Sequence, residues 1–228
     1  MQVALLHAFP LDARMWEPQL AALVAHDVVA PRLYGRGSTM DEWAASLLAE
    51  LDDELVAVGN SLGGYVALAL ARVAPERVRA LALVGARADA DSPERREARN
   101  ALITLVEREG PEAAWREMRS HLFSAHAPPD AVERARRVAL DQDADELVQA
   151  IAVMRDRPDS TELVGRFEGP LLVAVGEEDG FFPPEQARAL AGSAPAGRFQ
   201  VFPGLGHLPG LEWPDRFNPA LEGFLSSL

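Results

Sequence analysis

A glycine-flanked serine between an apolar strand and a helix is the feature that most constrains the fold of this chain. Residues Gly59–Gly63 read Gly-Asn-Ser-Leu-Gly, directly after the run Glu54–Val58 and just before the helical run Tyr65–Ala74. Glycines are needed there because side chains two residues on either side of the serine would collide with neighbouring backbone. The hydroxyl of Ser61 then projects above the sheet edge, next to the positive end of a helix. The pattern predicts that Ser61 is a nucleophile.

The rest of the chain alternates short β-branched runs with longer runs rich in Ala, Leu, Arg and Glu, a pattern typical of a mostly parallel sheet covered on both faces. The predicted strands are Val3–Leu6, Asp27–Ala30, Leu55–Val58, Val78–Val84, Leu171–Val175 and Arg198–Phe202. The predicted helices are Arg14–Ala25, Asp41–Glu50, Leu62–Ala74, Pro184–Ala191 and Trp213–Leu225. The fold class is therefore α/β, with a sheet of about six strands flanked by helices.

The segment from Ala88 to Pro158 interrupts this alternation, because it contains no convincing strand and reads as three or four helices. Pro93, Pro111 and the pair Pro128-Pro129 mark helix starts, since proline is tolerated in a first helical turn. About 70 residues is long for one crossover between strands. We therefore predict a helical cap over 88–158, inserted into a core formed by 1–87 and 159–228. Ordinary crossover helices are the alternative.

A serine hydroxyl needs a base to take its proton, and that base needs a carboxylate to orient it. Of the five histidines, His207 lies in a glycine-rich loop between the last predicted strand and the terminal helix, so it can reach the carboxyl edge of the sheet. Asp179 follows strand Leu171–Val175, at the edge where open α/β sheets build their sites. We predict that His207 is the base and Asp179 its acid, with Glu177 and Glu178 as alternatives to the aspartate.

An acyl-transfer site also needs backbone N–H groups that stabilise the negative oxygen of the tetrahedral intermediate. The first expected donor is Leu62, immediately after the nucleophile, and the second is Phe9, in the loop after the first strand. His7 precedes that loop, and we expect it to shape the loop by hydrogen bonding.

The motifs resemble those of the α/β-hydrolase superfamily and cover nearly the whole chain in that family's order. They are Leu5–Asp12, Gly59–Gly64, Gly176–Asp179 and Gly204–His207. The closest similarity is to the small-esterase and enol-lactonase-like branch, which includes carbon–carbon bond hydrolases. The resemblance implies the α/β-hydrolase fold and a Ser–Asp–His triad in the chain order expected for it.

Three departures from the family pattern are visible. Ala8 replaces the glycine that usually follows the first-loop histidine, and the segment after the second strand carries Arg32 and Arg36. Either arginine could bind a substrate carboxylate, although a solvated position is the preferred interpretation. The chain also begins at the family's third strand, which changes the exposed sheet edge and makes an edge-paired dimer conceivable. The oligomeric state stays open.

Composition excludes several other chemistries. The chain has no cysteine, and all 22 basic residues are arginine, which excludes disulfides, thiolate catalysis, lysine Schiff bases and Ser-Lys dyads. A net charge of -13 argues against nucleic acid and against an anionic membrane as partners. No apolar stretch approaches the roughly 20 residues that span a bilayer, and no basic region precedes the first apolar run. A cytoplasmic location is the expectation.

The expected activity is cleavage of a small, hydrophobic carboxylic ester or lactone through an acyl-Ser61 intermediate (carboxylesterase-like, EC 3.1.1), with no metal or cofactor. The apolar residues predicted near the substrate, which could equally be plain core, are Trp16, Tyr34, Trp115, Met118, Leu122, Met154, Phe181 and Phe182. Carbon–carbon bond hydrolysis or cofactor-free perhydrolysis on the same residues is one alternative. A ligand-binding or sensing protein with negligible turnover is the other.

Overall fold

The structure, a computed structural model, describes residues 1–228 and confirms the α/β class. Six strands form one sheet in which every pair is parallel, in the order β2-β1-β3-β4-β5-β6. The strands are β1 (Gln2–Leu6), β2 (Val28–Val29), β3 (Leu55–Asn60), β4 (Val78–Val84), β5 (Leu171–Gly176) and β6 (Gly197–Phe202).

Eleven α-helices follow or connect these strands. They are α1 (Glu17–Ala22), α2 (Met40–Leu48), α3 (Leu62–Val73), α4 (Pro93–Glu109), α5 (Pro111–Leu122), α6 (Pro129–Leu140), α7 (Ala144–Arg155), α8 (Thr161–Arg166), α9 (Pro184–Ser193), α10 (Pro209–Glu212) and α11 (Pro214–Leu225). None of them is long and apolar enough to cross a membrane.

The predicted first helix, Arg14–Ala25, is wrong in detail. The chain instead forms a short 3-10 helix, Ala13–Trp16, followed by α1. Pro18 explains the break, because a proline in the interior of a longer helix would lack the N–H that bonds back along it, whereas proline is tolerated in the first turn of α1. The four-residue helix α10, just after His207, was not predicted at all.

The segment between β4 and β5 contains five helices, α4 to α8, and no strand. Three of them begin at predicted proline starts, Pro93, Pro111 and Pro129. At the start of α4 the hydroxyl of Ser92 accepts a hydrogen bond from the N–H of Arg95, which satisfies one of the free donors of the first turn. The division into a core and a cap stays a prediction.

The central strands are apolar because helices cover both faces of the sheet. All residues of β3 are buried, as are those of β5, while the edge strand β2 is only half-buried. A single hydrophobic core of 69 buried residues joins the sheet to its helices. Since all strands are parallel, the loops after β1, β3, β4, β5 and β6 open at the same edge of the sheet, and this edge carries the candidate site.

Candidate active site

Ser61 occupies a strained turn between β3 and α3. Its backbone φ is 54° and ψ is -112°, a conformation that residues with side chains rarely adopt. The N–H of Ser61 donates to the carbonyl of Val84 on the neighbouring strand at 2.9 Å. A Cβ atom at Gly63 would lie 2.0 Å from the carbonyl oxygen of Leu6, so only glycine lets α3 approach β1 this closely. The backbone, rather than packing of the serine side chain, therefore fixes the position of Ser61.

His207 lies in the loop between β6 and α10, and it is 1% exposed. Its Nδ1–H donates to Oδ2 of Asp179 at 2.8 Å. Its other ring nitrogen, Nε2, is buried and has no hydrogen-bond partner. His207 lines the same cavity as Ser61, although no hydrogen bond joins the two side chains. The free Nε2 is the atom that a base facing the serine must present.

The carboxylate of Asp179 is held at both oxygens. While Oδ2 accepts from His207, Oδ1 accepts the backbone N–H groups of Phe181 at 2.8 Å and Phe182 at 2.9 Å. The two neighbouring acids point elsewhere: Glu177 accepts from the N–H of Gly204, and Glu178 accepts from that of Ala125. Of the three acids weighed from the sequence, Asp179 alone is hydrogen-bonded to His207.

Two residues that the sequence did not reveal support the loop of His207. The side-chain amide of Asn60 donates to the carbonyl of His207 at 3.2 Å. Glu212, 1% exposed, accepts the N–H of Gly206 at 2.9 Å and both the N–H and the hydroxyl of Ser124. The available sequence signal was a single acidic residue, Glu212, within an otherwise apolar stretch after His207. Through Glu212, the loop after β6 is tied to the end of α5.

The predicted oxyanion donors, Phe9 and Leu62, flank the serine. Phe9 lines the cavity, and its N–H donates to no acceptor in the protein. Leu62 is the first residue of α3, where backbone N–H groups have no partner within the helix. Both are therefore available to a ligand oxygen.

His7 is fully buried and links the first loop to the loop after β2. Its Nδ1–H donates to the carbonyl of Ala8 at 3.2 Å, and its Nε2 accepts the N–H of Leu33 at 3.1 Å. Burial lowers the pKa of His7 from 6.5 to about 4, so the ring is neutral at pH 7. These contacts shape the loop that carries Phe9.

The cavity at Ser61 and His207 has a volume of about 70 Å³. Four of the predicted pocket residues line it, namely Met118, Met154, Phe181 and Phe182. The ring of Phe181 stands edge-on to that of His207, with centroids 4.9 Å apart. Phe181 is also 37% exposed, so it separates the histidine from solvent.

The other four predicted pocket residues do not line this cavity. Trp16 packs on Phe217, and Tyr34 donates its hydroxyl hydrogen to the carbonyl of Leu11. Trp115 and Leu122 are buried in the hydrophobic core. Large apolar side chains follow the same sequence pattern in a core and in a pocket, which explains why the sequence did not separate these four residues from the four that line the cavity.

The two arginines singled out in the sequence are paired with acids outside the cavity. Arg32 forms an ion pair with Glu146 on α7, and Arg36 forms one with Glu50 at 2.8 Å. The preferred solvated interpretation fits Arg32, whose side chain is 49% exposed, but not Arg36, whose side chain is only 11% exposed and also donates to the carbonyl of Arg32 and to Ser46. Three arginines that the sequence analysis did not single out line the cavity instead, namely Arg87, Arg95 and Arg99. No three His, Asp or Glu side chains come together in a way that could hold a metal ion.

Known structures resemble this chain over its full length. An esterase from Thermogutta terrifontis, in a malate-bound form, is 36% identical with a TM-score of 0.93, and the match covers 100% of this chain and 90% of that one. The enol-lactonase from Burkholderia xenovorans LB400 is 24% identical with a TM-score of 0.88, covering 99% of this chain and 91% of the other. The second likeness concerns the fold.

Several curated relatives carry hydrolase names. A protein of Azorhizobium caulinodans named as a carbamate hydrolase, RutD, is 28% identical over 95% of this chain and 88% of its own length. A pimeloyl-[acyl-carrier protein] methyl ester esterase of Aromatoleum aromaticum is 41% identical over 90 residues, and the match covers only 36% of this chain and 36% of that esterase. The sequence pattern described as the Alpha/beta hydrolase family matches residues 3–220.

Proposed function

The chain belongs to the Alpha/beta hydrolase family, and on that premise we propose that it is a serine hydrolase that cleaves a small carboxylic ester or lactone through an acyl intermediate on Ser61. One observation carries the proposal. His207, which is hydrogen-bonded at 2.8 Å to the buried Asp179, lines the same small cavity as a serine held in a strained strand-to-helix turn. A hydroxyl, a base and an acid in this order are what acyl transfer requires.

In the proposed first step, Nε2 of His207 takes the proton of the Ser61 hydroxyl as its oxygen bonds to the carbonyl carbon of the ester. The carbonyl oxygen becomes negative, and the N–H groups of Phe9 and Leu62 donate to it. His207 then protonates the leaving alcohol oxygen as the carbon–oxygen bond breaks. Asp179 remains ionised throughout, and its charge stabilises the imidazolium.

In the second step, His207 takes a proton from water, whose oxygen attacks the acyl carbon. The bond to Ser61 breaks, the serine oxygen regains its proton from His207, and the carboxylic acid leaves. In a lactone the alcohol and the acid are parts of one product. No metal or organic cofactor takes part in this scheme.

The names of the relatives support the same class of reaction. The Thermogutta protein, 36% identical over the whole chain, is an esterase, and the Aromatoleum protein is a methyl ester esterase. We also propose that 88–158 acts as a cap over the site formed by 1–87 and 159–228. In support, Arg95, Arg99, Met118 and Met154 all come from that segment and line the cavity of Ser61.

The test is intact-protein mass spectrometry after treatment with a fluorophosphonate, which reacts with activated serines whatever the natural substrate. We expect one adduct on the wild type and none on Ser61→Ala or His207→Ala. Ser227→Ala, which removes a serine hydroxyl far along the chain in the last turn, serves as the control and should be labelled like the wild type. An adduct that persists on Ser61→Ala, or a folded wild type that neither labels nor hydrolyses any ester, would contradict the proposal.

A further inference from the structure

A second, larger cavity continues from the one at Ser61. It has a volume of about 430 Å³ and lies between α4 and α5. The two cavities share four lining residues, namely Arg95, Arg99, Met118 and Phe181. We call the larger cavity the groove. Its remaining walls are mostly apolar and include Leu102 and Leu105 on α4. A ligand that reaches Ser61 therefore has an apolar groove beside it, with two arginines where the groove meets the catalytic cavity.

These arginines belong to a group of paired charges with more positive than negative members. The group, which we call the arginine cluster, comprises Arg87, Arg95, Arg99, Arg157, Asp89 and Asp91. Four guanidinium groups share two carboxylates, which leaves an excess of two positive charges. The whole chain, by contrast, carries a net charge of -13. With the carboxylate of Asp179 beside His207 counted as well, an excess of one positive charge remains around Ser61 in an acidic protein, which favours an anionic ligand.

Arg99 is the member of the cluster in which both terminal nitrogens are free. Its Nε lies 3.3 Å from Asp91, whereas its two terminal nitrogens donate to no acceptor in the protein. Its side chain is 21% exposed, and it lines both the catalytic cavity and the groove. Two free N–H groups on one guanidinium edge match the two oxygens of a carboxylate.

The pairing with Asp91 also fixes the place of Arg99. The Asp91 side chain is 1% exposed and lies 3.2 Å from Arg95 and 2.8 Å from Arg157 as well. A guanidinium held at its Nε by a buried carboxylate presents its terminal nitrogens without losing much side-chain freedom on binding. The one acid that lines the groove, Glu117, has a side chain 54% exposed and lies near Arg116.

We propose that the substrate is an ester that bears a free carboxylate, bound by the terminal nitrogens of Arg99, with its hydrocarbon part in the groove between α4 and α5. This inference rests on the proposed function, because it assigns the substrate class of the same site. Arg99 is a binding residue in this account, and it takes no part in proton transfer.

The test compares matched esters. On the acyl side, the mono-para-nitrophenyl ester of glutaric acid is paired with para-nitrophenyl butyrate. On the alcohol side, the acetate ester of a hydroxy acid is paired with that of the corresponding plain alcohol. In at least one pair we expect wild-type kcat/KM to favour the acid by about tenfold or more, the size of one charge-assisted hydrogen bond. Added salt should reduce this preference.

Arg99→Gln should reduce the ratio of kcat/KM for the preferred acid to that for its neutral partner about tenfold, through the KM of the acid. The control is Arg119→Gln, which removes the same charge from an exposed position on α5 that lines neither cavity. This variant should leave kcat/KM unchanged for both the acid and the neutral ester. Thermal unfolding and the neutral-ester rate show that each variant is folded.

Two kinds of failure are distinguishable. Ser61-dependent hydrolysis of the neutral esters without an acid preference in either pair would overturn the inference and leave the proposed function standing. If no ester is hydrolysed, the proposed function fails. Calorimetric titration of Ser61→Ala with glutarate then tests whether Arg99 binds a carboxylate. Binding that Arg99→Gln abolishes supports the anion site, and no binding overturns it. Inorganic phosphate that binds as tightly as glutarate would overturn the assignment to a carboxylate.

Discussion

His7 illustrates how burial decides the charge of a single side chain. Desolvation disfavours the imidazolium, and this outweighs the hydrogen bond to Ala8 and the charge of Asp12, both of which would raise the pKa. The neutral ring can then accept the N–H of Leu33 while it donates to Ala8. The loop that presents Phe9 to the cavity thus depends on one protonation state of His7.

This makes stability depend on pH. The pKa of His7 is about 4 in the folded protein, compared with 6.5 for a histidine in an unfolded chain. As the pH falls, the unfolded chain therefore takes up the proton first. The contribution of His7 is fully present above pH 6.5, is lost as the pH falls to 4, and is worth roughly 3 kcal/mol. Urea titrations give the unfolding free energy at about pH 7 and at about pH 4.5. We expect the decrease in unfolding free energy between these two pH values to be smaller for His7→Asn than for the wild type. Equal losses would refute the assignment.

Asp179 offers a second test at the scale of one residue. Asp179→Asn removes the charge that stabilises protonated His207 and can present its amide to the ring in place of an acceptor. We expect kcat for a para-nitrophenyl ester to fall by a factor on the order of a hundred to ten thousand. Glu178→Gln, one position earlier, should retain activity within about twofold, because Glu178 accepts from Ala125 and not from the histidine. Comparable losses in both variants would exclude Asp179 as the specific partner.

At the scale of elements, the contact between α3 and β1 depends on the absence of a side chain at Gly63. An added Cβ would meet backbone atoms of Leu6, which cannot move without shifting the strand. We expect Gly63→Ala to destabilise the protein by at least about 1–3 kcal/mol, the usual cost of overpacking. Gly192→Ala on α9 is the matched control: a Cβ there meets nothing within 4 Å, and alanine favours the helix. Thermal unfolding of both variants checks this, and a Gly63→Ala as stable as the control would refute it.

The elements are also where the sequence was most informative. Short runs rich in apolar and β-branched residues predicted all six strands, and β4 has the predicted bounds. Prolines predicted the starts of α4, α5 and α6, since they restrict the chain locally. The helix α10 was missed because a glycine-rich loop and a proline precede only one helical turn. Strands and helix starts could thus be predicted because they depend on residues that are close together in the sequence.

Pairing across the fold could not be predicted in the same way. Arg32 and Arg36 depart from the family pattern, which made them candidates for binding a substrate carboxylate, but they pair with Glu146 and Glu50 and do not line the cavity. Arg99 lies in a helix of ordinary charged composition, and only the packing of that helix brings it to the cavity of Ser61. The positions of Ser61, Asp179 and His207 were readable because glycine-rich loops after apolar strands mark the same edge of a parallel sheet.

For the whole molecule, the buried pair of Asp91 and Arg157 joins the two ends of the helical segment. Asp91 precedes α4, Arg157 follows α7, and their side chains are 1% and 3% exposed at a distance of 2.8 Å. The guanidinium of Arg157 also lies over the ring of Tyr65 on α3, 4.0 Å from its centroid. This contact connects the segment to the sheet side of the molecule.

Arg157→Met removes the shortest of the three arginine contacts of buried Asp91, together with the hydrogen bonds of Arg157 to the carbonyls of Met154 and Asp89. Because Arg95 and Arg99 remain beside Asp91, its charge is not left unpaired, and we expect the unfolding free energy to fall by about 1–3 kcal/mol. The exposed pair Arg166–Glu162, with side chains 79% and 76% exposed, provides the control, and Arg166→Met should change the unfolding free energy by less than about 1 kcal/mol. Denaturant unfolding measures both, and similar small changes would show that the buried pair does not hold the segment in place.

The strained backbone conformation of Ser61 lowers the stability of this protein. A non-glycine residue in the left-handed region costs about 1 kcal/mol or more, and glycine adopts that region without this cost. Ser61→Gly should therefore be inactive yet have a higher melting temperature than Ser61→Ala, which keeps the strain. A serine at a position that opposes folding is what we expect where strain holds an active-site side chain in place, in line with the proposed role of Ser61.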